Sequence, residues 1–260
     1  MRSATTILEA TAASLPGAGA RRRLGVPPGV PRRALDLLVA GAALLLLSPL
    51  LLVIALLVKL SSPGPVLFRQ QRVGQGGVPF TLLKFRTMRA DASGPNVTPA
   101  DDQRLTPVGK LLRLAGLDEL PQLLNILRGE MTLVGPRPET ADLASRYLPG
   151  CEAVFRYRPG LTGPAAVRLR DRDELRSDEE DLEQYYLQVV VPAKVTVDLD
   201  FLAAPTLGRT LGVIGETALY ILTAGRTRRT VPLGTVTLAR PPAALTEPAA
   251  RIFSRTLSRV

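Results

Sequence analysis

Asp118-Glu119 is the pair of neighbouring carboxylates in this sequence best placed to do chemistry, because cations crowd around it. The pair opens what reads as a helix. An aspartate there meets free backbone N–H groups and the positive end of the helix dipole, and stays ionised. Arg113 lies just upstream, Arg128 and Arg137 downstream, and Val134-Gly135-Pro136-Arg137-Pro138 reads as a rigid turn presenting an arginine. Lys84 and Arg86 come from the end of a predicted hairpin. Carboxylates ringed by Lys and Arg suit a diphosphate with its metal ion. The plainer reading leaves Asp118 as an ordinary helix cap.

Composition narrows the chemistry further. The 260 residues contain no histidine, which excludes Ser-His and Cys-His pairs, imidazole zinc sites and a histidine general base. Catalysis must therefore use carboxylates, Lys, Arg, Tyr or a hard metal ion on oxygen ligands. The single cysteine, Cys151, rules out an internal disulfide framework. A formal charge of +10 calls for anionic partners, either phosphorylated substrates or lipid head groups. With aromatics at 4% and no Trp, stacking platforms for nucleic acid are poorly supplied, and no nucleic-acid partner is expected.

The elements that must position these residues follow in chain order. Residues 1–33 read as a mobile basic arm with Arg21, Arg22, Arg23, Arg32 and Arg33. Leu37 to Val58 carries no charge, and its 22 residues would make about 33 Å of helix against a hydrocarbon core of about 30 Å. Two topologies compete for it. One is a simple spanning helix. The other is a bend at Ser48-Pro49, where proline removes a donor and the serine hydroxyl satisfies a freed carbonyl. Basic residues flank both ends, so the positive-inside rule draws both ends to one side. After it, Val66–Val73 and Val78–Phe85 bracket Gly74-Gln75-Gly76-Gly77 as a hairpin, its glycines a turn with no phosphate-loop pattern following. Residues 90–103 read as a loop. Thr106-Pro107 opens a short helix through Leu114 that stops at Gly116, and Asp118 caps the next, closed by Gly129. Residues 171–183 hold eight acids, read as a solvated face, with Ser177 and Glu180 at capping-box spacing. Leu207, Leu211, Ile214, Ala218 and Ile221 form an apolar stripe for the core or for a membrane surface. The last 36 residues, with seven arginines, read as a basic tail.

Leu117-Asp118-Glu119-Leu120-Pro121-Gln122-Leu123-Leu124-Asn125, followed by Val134 to Pro138, closely resembles the bacterial sugar transferases. These are monotopic polyprenyl-phosphate phosphoglycosyl transferases. The resemblance extends through Lys84-Phe85-Arg86-Thr87-Met88, Arg104-Leu105-Thr106, Gly109 and Arg158-Pro159-Gly160-Leu161-Thr162-Gly163, and upstream to Arg33-Ala34-Leu35-Asp36 and Ser48-Pro49. It covers roughly residues 32–220.

The resemblance implies an α+β, predominantly helical fold: a re-entrant membrane helix over 34–60 broken at Ser48 and Pro49, and a small cytosolic domain with a β-hairpin over 61–224. A basic tail follows over 225–260. It also implies the short form, without an additional N-terminal membrane domain, held at the bacterial inner membrane. In the implied chemistry Asp118 attacks the sugar-linked phosphate of a UDP-sugar and releases UMP. Polyprenyl (undecaprenyl) phosphate then takes the phosphosugar, with membrane phospholipids as further partners. Glu119 would partner Asp118 at a Mg²⁺ ion, both serving as metal ligands. Arg113 and Arg137 match family arginines near the phosphates, with Lys84 and Arg86 carried over beside them. Pro164-Ala165-Ala166 stands where many members have Trp-Gln, which bears on sugar or nucleotide preference. Thr210 stands where a C-terminal Asp is common. A non-catalytic basic membrane scaffold, and an ordinary glycosyltransferase releasing UDP, are the competing functions.

Overall fold

The structure, a computed structural model, describes residues 29–89, 102–169 and 182–223. Most of the basic arm, most of the 90–103 loop, the acidic run with its Ser177–Glu180 spacing and the basic tail lie outside the described residues.

The apolar run forms two helices, α1 (Val30–Leu46) and α2 (Ser48–Ser61), bent by 64° at the break. The break falls at Ser48-Pro49 because Pro49 cannot donate to the preceding turn, and the Ser48 hydroxyl donates to the Leu45 carbonyl at 2.8 Å. Among the described residues no single helix is long and apolar enough to cross a membrane; this bent pair alone passes that test by length and composition. Leu38, Leu45, Leu46, Leu52 and Leu60 are all largely exposed on it. The arm expected to run to residue 33 ends earlier, since Val30 already begins α1.

Both ends of the bent pair are fastened to the rest of the chain. At the first end Arg32 donates to the Val134 carbonyl (2.7 Å) and Arg33 to the Ile126 carbonyl (2.8 Å). Asp36, 1% exposed, accepts from the Thr132 hydroxyl (2.8 Å) and the Leu133 N–H (2.9 Å). At the second end Arg86 donates to the carbonyls of Val58, Ser62 and Pro63 at 3.2, 2.7 and 2.7 Å, satisfying acceptors that a helix C-terminus leaves open.

Next comes an antiparallel hairpin, β1 (Leu67–Val73) with β2 (Pro79–Phe85), in register from Leu67↔Phe85 to Val73↔Pro79. Gly76 and Gly77, at φ 67° and 77°, supply the left-handed backbone of its turn. Helix α3 (Pro107–Ala115) is capped by Thr106, whose hydroxyl accepts from the Gly109 N–H, and it ends on left-handed Gly116. Gly109 lets α3 lie directly on the chain after the hairpin: a Cβ there would sit 2.0 Å from the Thr87 carbonyl oxygen. Helix α4 (Gln122–Arg128) ends on left-handed Gly129. Strands β3 (Thr132–Val134) and β4 (Gly160–Thr162) pair in parallel, with short α5 (Ala141–Ser145) between them. Then follow α6 (Pro164–Arg168), α7 (Leu182–Tyr185), a π-helical turn over Tyr186–Val190, α8 (Val191–Ala203) and α9 (Leu207–Leu222). The described chain is thus mostly helical, with two small two-stranded sheets.

The main core gathers Ala40 of α1, Phe80 and Leu82 of β2, Leu123 and Ile126 of α4, Leu133 and Val134 of β3, Phe201 and Leu202 of α8 and Val213 of α9. Each large apolar side chain so buried contributes about 1.5–3 kcal/mol relative to exposure. On α9 the core takes Thr210, Val213 and part of Ile214, whereas Leu207, Leu211, Ala218 and Ile221 are exposed. Most of the stripe therefore faces outward, away from the core.

Asp198 of α8 is 5% exposed, and one of its oxygens accepts from the Ala165 N–H at 3.1 Å. Burial pushes its pKa up to about 7, against the opposing hydrogen bond from Ala165 and the charge of Lys194. The fold thus favours the protonated acid. This contribution is complete below the ordinary carboxylate pKa and is lost as pH rises through about 7. Asp198→Asn, which keeps the acceptor and removes the charge, is expected to raise Tm by several degrees at about pH 8 and by clearly less at about pH 5, the difference vanishing only below the ordinary carboxylate pKa. Thermal melts of both proteins at the two pH values check this.

Candidate active site

The carboxylate pair sits between two helices. Gly116 turns the chain left-handed out of α3, a single 3-10 turn carries Leu117–Glu119, and α4 begins only at Gln122, after Pro121. Asp118 makes no capping hydrogen bond, so the expectation that it caps the helix is corrected. Pro121 is the cause: it delays the helix, and with Leu120 it places the pair one turn upstream of the first N–H groups.

Burial, not the helix dipole, then sets the character of Asp118, which is 7% exposed. Desolvation pushes its pKa up and the Glu119 charge adds to that, while Lys84, Arg113 and Arg137 act the other way. Glu119 behaves oppositely. Its burial also works to raise the pKa, but Lys84 and Arg137 outweigh it and hold the carboxylate well below the usual range. Both cations reach the same oxygen: Lys84 Nζ is 2.8 Å and Arg137 Nη2 3.2 Å from Glu119 Oε1. For Lys84, burial lowers the pKa and Glu119 opposes it. The site therefore holds one carboxylate firmly ionised beside another that burial makes more basic.

Each cation arrives from a different element. Lys84 stands on β2, Arg113 on the last turn of α3, and Arg137 on the turn after β3. Arg113 Nε donates to the Thr87 hydroxyl at 3.2 Å, the same Thr87 on which Gly109 rests. Desolvation lowers the Arg113 pKa, and the charges of Asp118 and Asp102 raise it. Asp102 is in turn clasped by Arg104, whose Nη2 lies 2.5 Å from Oδ2.

The structure brings together Asp118, Glu119, Lys84, Arg113 and Arg137. Arg86 does not join them, and its assignment to the phosphates is corrected. Arg86 is 5% exposed, and its guanidinium is committed to three carbonyls at the end of α2. Arg128 is exposed in the last turn of α4. Ser48 and Pro49 lie at the helix break, as expected. Arg72 was missed as a site residue; Glu119 and Arg137 are among the charges acting on it. Strand pairing held the signal, because Phe68↔Lys84 and Arg72↔Phe80 put Arg72 and Lys84 on one face of the hairpin.

Asn125, fully buried, fixes the distance between hairpin and carboxylates. Its Oδ1 accepts from the Leu83 N–H (3.2 Å), and its Nδ2 donates to the Thr81 carbonyl (2.7 Å) and to Glu130 Oε2 (2.7 Å). One side-chain amide thus satisfies the outer edge of β2 where a further strand would otherwise pair. Asn125→Ala leaves two strand groups without partners and is expected to cost about 2–4 kcal/mol in urea unfolding. A loss well under ~1 kcal/mol would show that water replaces the amide.

Among the described residues no group of three or more His, Cys, Asp or Glu side chains could hold a metal ion. Two adjacent carboxylates remain as oxygen donors. That set does not suit zinc, but it fits Mg²⁺, which takes one or two carboxylates and fills its shell with water and substrate phosphate.

The bacterial sugar transferase family matches residues 28–223. The chain is 44% identical over 197 residues to a UDP-glucose:undecaprenyl-phosphate glucose-1-phosphate transferase of Caulobacter vibrioides, covering 74% of this chain and 70% of that protein. It is 41% identical over 165 residues to a UDP-N-acetylgalactosamine-undecaprenyl-phosphate N-acetylgalactosaminephosphotransferase of Aeromonas hydrophila, covering 60% of this chain and 39% of that one. The exopolysaccharide production protein ExoY of Sinorhizobium fredii is 43% identical over 162 residues, covering 56% of this chain and 70% of the relative. Every residue of the cluster, from Lys84 to Arg137, falls inside the matched region, and this chain belongs to the bacterial sugar transferase family.

Proposed function

We propose that this chain moves a sugar 1-phosphate from a UDP-sugar to undecaprenyl phosphate, releasing UMP and starting the assembly of a bacterial glycan. The observation that carries this reading is the buried Asp118 beside Glu119 under Lys84, Arg113 and Arg137. The names of the relatives support it.

In the proposed mechanism an oxygen of Asp118 attacks the sugar-linked phosphorus of the donor. A carboxylate–phosphorus bond forms, the bond from that phosphorus to the oxygen of the uridine-linked phosphate breaks, and UMP leaves with the electron pair. An oxygen of undecaprenyl phosphate then attacks the same phosphorus, displacing Asp118 and giving undecaprenyl-diphosphate-sugar. No proton need be taken from the nucleophile, which matches the absence of histidine. Arg113 and Arg137 would hold the phosphate oxygens as charge shifts onto them, and Lys84 would keep Glu119 ionised. Bound to Asp118 and Glu119 together with the diphosphate, Mg²⁺ would supply charge neutralisation.

The bent pair is read as re-entrant, with both ends and the catalytic residues on the cytosolic face of the inner membrane. Its two ends are fastened to one body, which supports a segment that enters and leaves on one side. Leu111 and Leu114 of α3, a helix packed on α2, and the outward face of α9 add exposed apolar surface for lipid.

UDP-glucose or UDP-N-acetylgalactosamine alone is expected to release at most one UMP per protein molecule as a burst, with full turnover once undecaprenyl phosphate is added. EDTA should remove the burst and Mg²⁺ restore it. Intact-mass spectrometry should find one phosphosugar on the peptide holding Asp118, and Asp118→Asn should lose both burst and adduct. Retention of both would move the nucleophile elsewhere, and release of UDP would make the chain an ordinary glycosyltransferase. Topology is checked separately. After Cys151 is replaced, cysteines placed near residues 25 and 65 should both resist an impermeant reagent in intact cells, and labelling of either one would mean a crossing helix.

A further inference from the structure

Arg137 is 48% exposed on its side chain, and where its guanidinium stands over Glu119 depends also on the backbone that carries it. That backbone is gripped from two directions. From the hairpin, Arg72 Nη1 donates to the Pro138 carbonyl (3.3 Å) and the Val73 N–H to the Glu139 carbonyl (2.8 Å). From the π-helical turn, the Tyr186 hydroxyl donates to Glu139 Oε1 at 2.8 Å. The other carboxylate oxygen of Glu139 lies 3.9 Å from Arg72 Nη1, and Gln70 Oε1 accepts from Arg72 Nε and Nη2 at 3.0 and 2.6 Å. Glu139 itself is 4% exposed.

A carboxylate so buried is costly unless cations and donors meet it. Here it takes up a guanidinium on one oxygen and a phenol on the other, tying two chain segments, β1 and the π-helical turn, to the residue after Pro138. It also answers an electrostatic difficulty. Arg72 and Arg137 act on each other as like charges near Glu119, and Glu139 opposes that repulsion.

We propose that Glu139 is a positioning residue for Arg137: with Tyr186 and Arg72 it sets the turn so that the Arg137 guanidinium meets the donor diphosphate above Glu119. This rests on the phosphosugar transfer proposed above. Glu139 touches no substrate; it acts through the Pro138 backbone and Arg72.

The test is a double-mutant cycle in the full chain, read as the rate of the UMP burst from UDP-glucose. Tyr186→Phe, which removes one hydroxyl, and Glu139→Leu should each slow the burst roughly 10- to 100-fold. Glu139→Gln, which still accepts from Tyr186, should recover most of that loss. In an Arg137→Ala background Tyr186→Phe should add less than about twofold, because the side chain it positions is gone. A full additional loss there, or a wild-type rate for Tyr186→Phe alone, would overturn the proposal. The same four proteins are titrated calorimetrically with inorganic diphosphate, where Tyr186→Phe and Arg137→Ala should each weaken binding roughly tenfold without compounding. If the wild type releases no UMP, the transfer reading falls. The diphosphate cycle then decides the positioning role on its own: independent losses sink it, and shared losses sustain it.

Discussion

Two carboxylates adjacent in sequence, Asp118 buried and Glu119 partly so, cannot both be ionised there unless positive charge meets them, and the architecture is arranged around that requirement. Asp118 and Glu119 follow each other on a single tight turn, so their own segment cannot supply every counter-charge. Lys84 must come from a hairpin, Arg113 from the preceding helix and Arg137 from a turn beyond the next strand. Each supplier then needs its own attachment. Asn125 pins the hairpin, Thr87 and Gly109 seat the helix, and the β3–β4 pair sets where the turn begins. The small sheets matter less as core than as rails that deliver cations to one point.

Features written in a few neighbouring residues were legible in the sequence. The hairpin with its glycine turn, the Thr106 cap, the Gly116 and Gly129 stops and the break at Ser48-Pro49 each depend on local backbone chemistry, and each stands where it was expected. Contacts between distant residues were not. Arg32 bonds to a carbonyl 102 positions away, and Asp36 to a hydroxyl 96 positions away, so Arg32 read only as part of a basic flank and Asp36 only as part of a family resemblance. Arg86 looked like Lys84 because both close the same strand. The hairpin register separates them, since Lys84 lies within β2 and Arg86 just beyond it, at the end of α2. Asp118 was read as a cap because an aspartate ahead of a helical pattern usually is one. The three residues between it and the helix, Glu119, Leu120 and Pro121, undo that reading.

The departures from the family pattern have local accounts. Pro164 takes the first position of α6, where its missing N–H would be unpaired in any residue, and Asp198 receives the following N–H, that of Ala165. Thr210 is 1% exposed, and its hydroxyl donates to the Thr206 carbonyl at 2.8 Å within α9. A threonine there closes its own hydrogen bond, so the buried position asks for no charged partner.

Fastening the bent pair at both ends has a geometric consequence. A hinge held at one end can swing, whereas one held by Arg32, Arg33 and Asp36 on one side and by Arg86 on the other is a strut. On the re-entrant reading, the depth to which the elbow at Leu47 sinks into lipid fixes the height of Asp118 above the bilayer. On that reading the wedge would work as a ruler: bilayer thickness and elbow length together would decide which lipid-borne phosphates come level with the carboxylate.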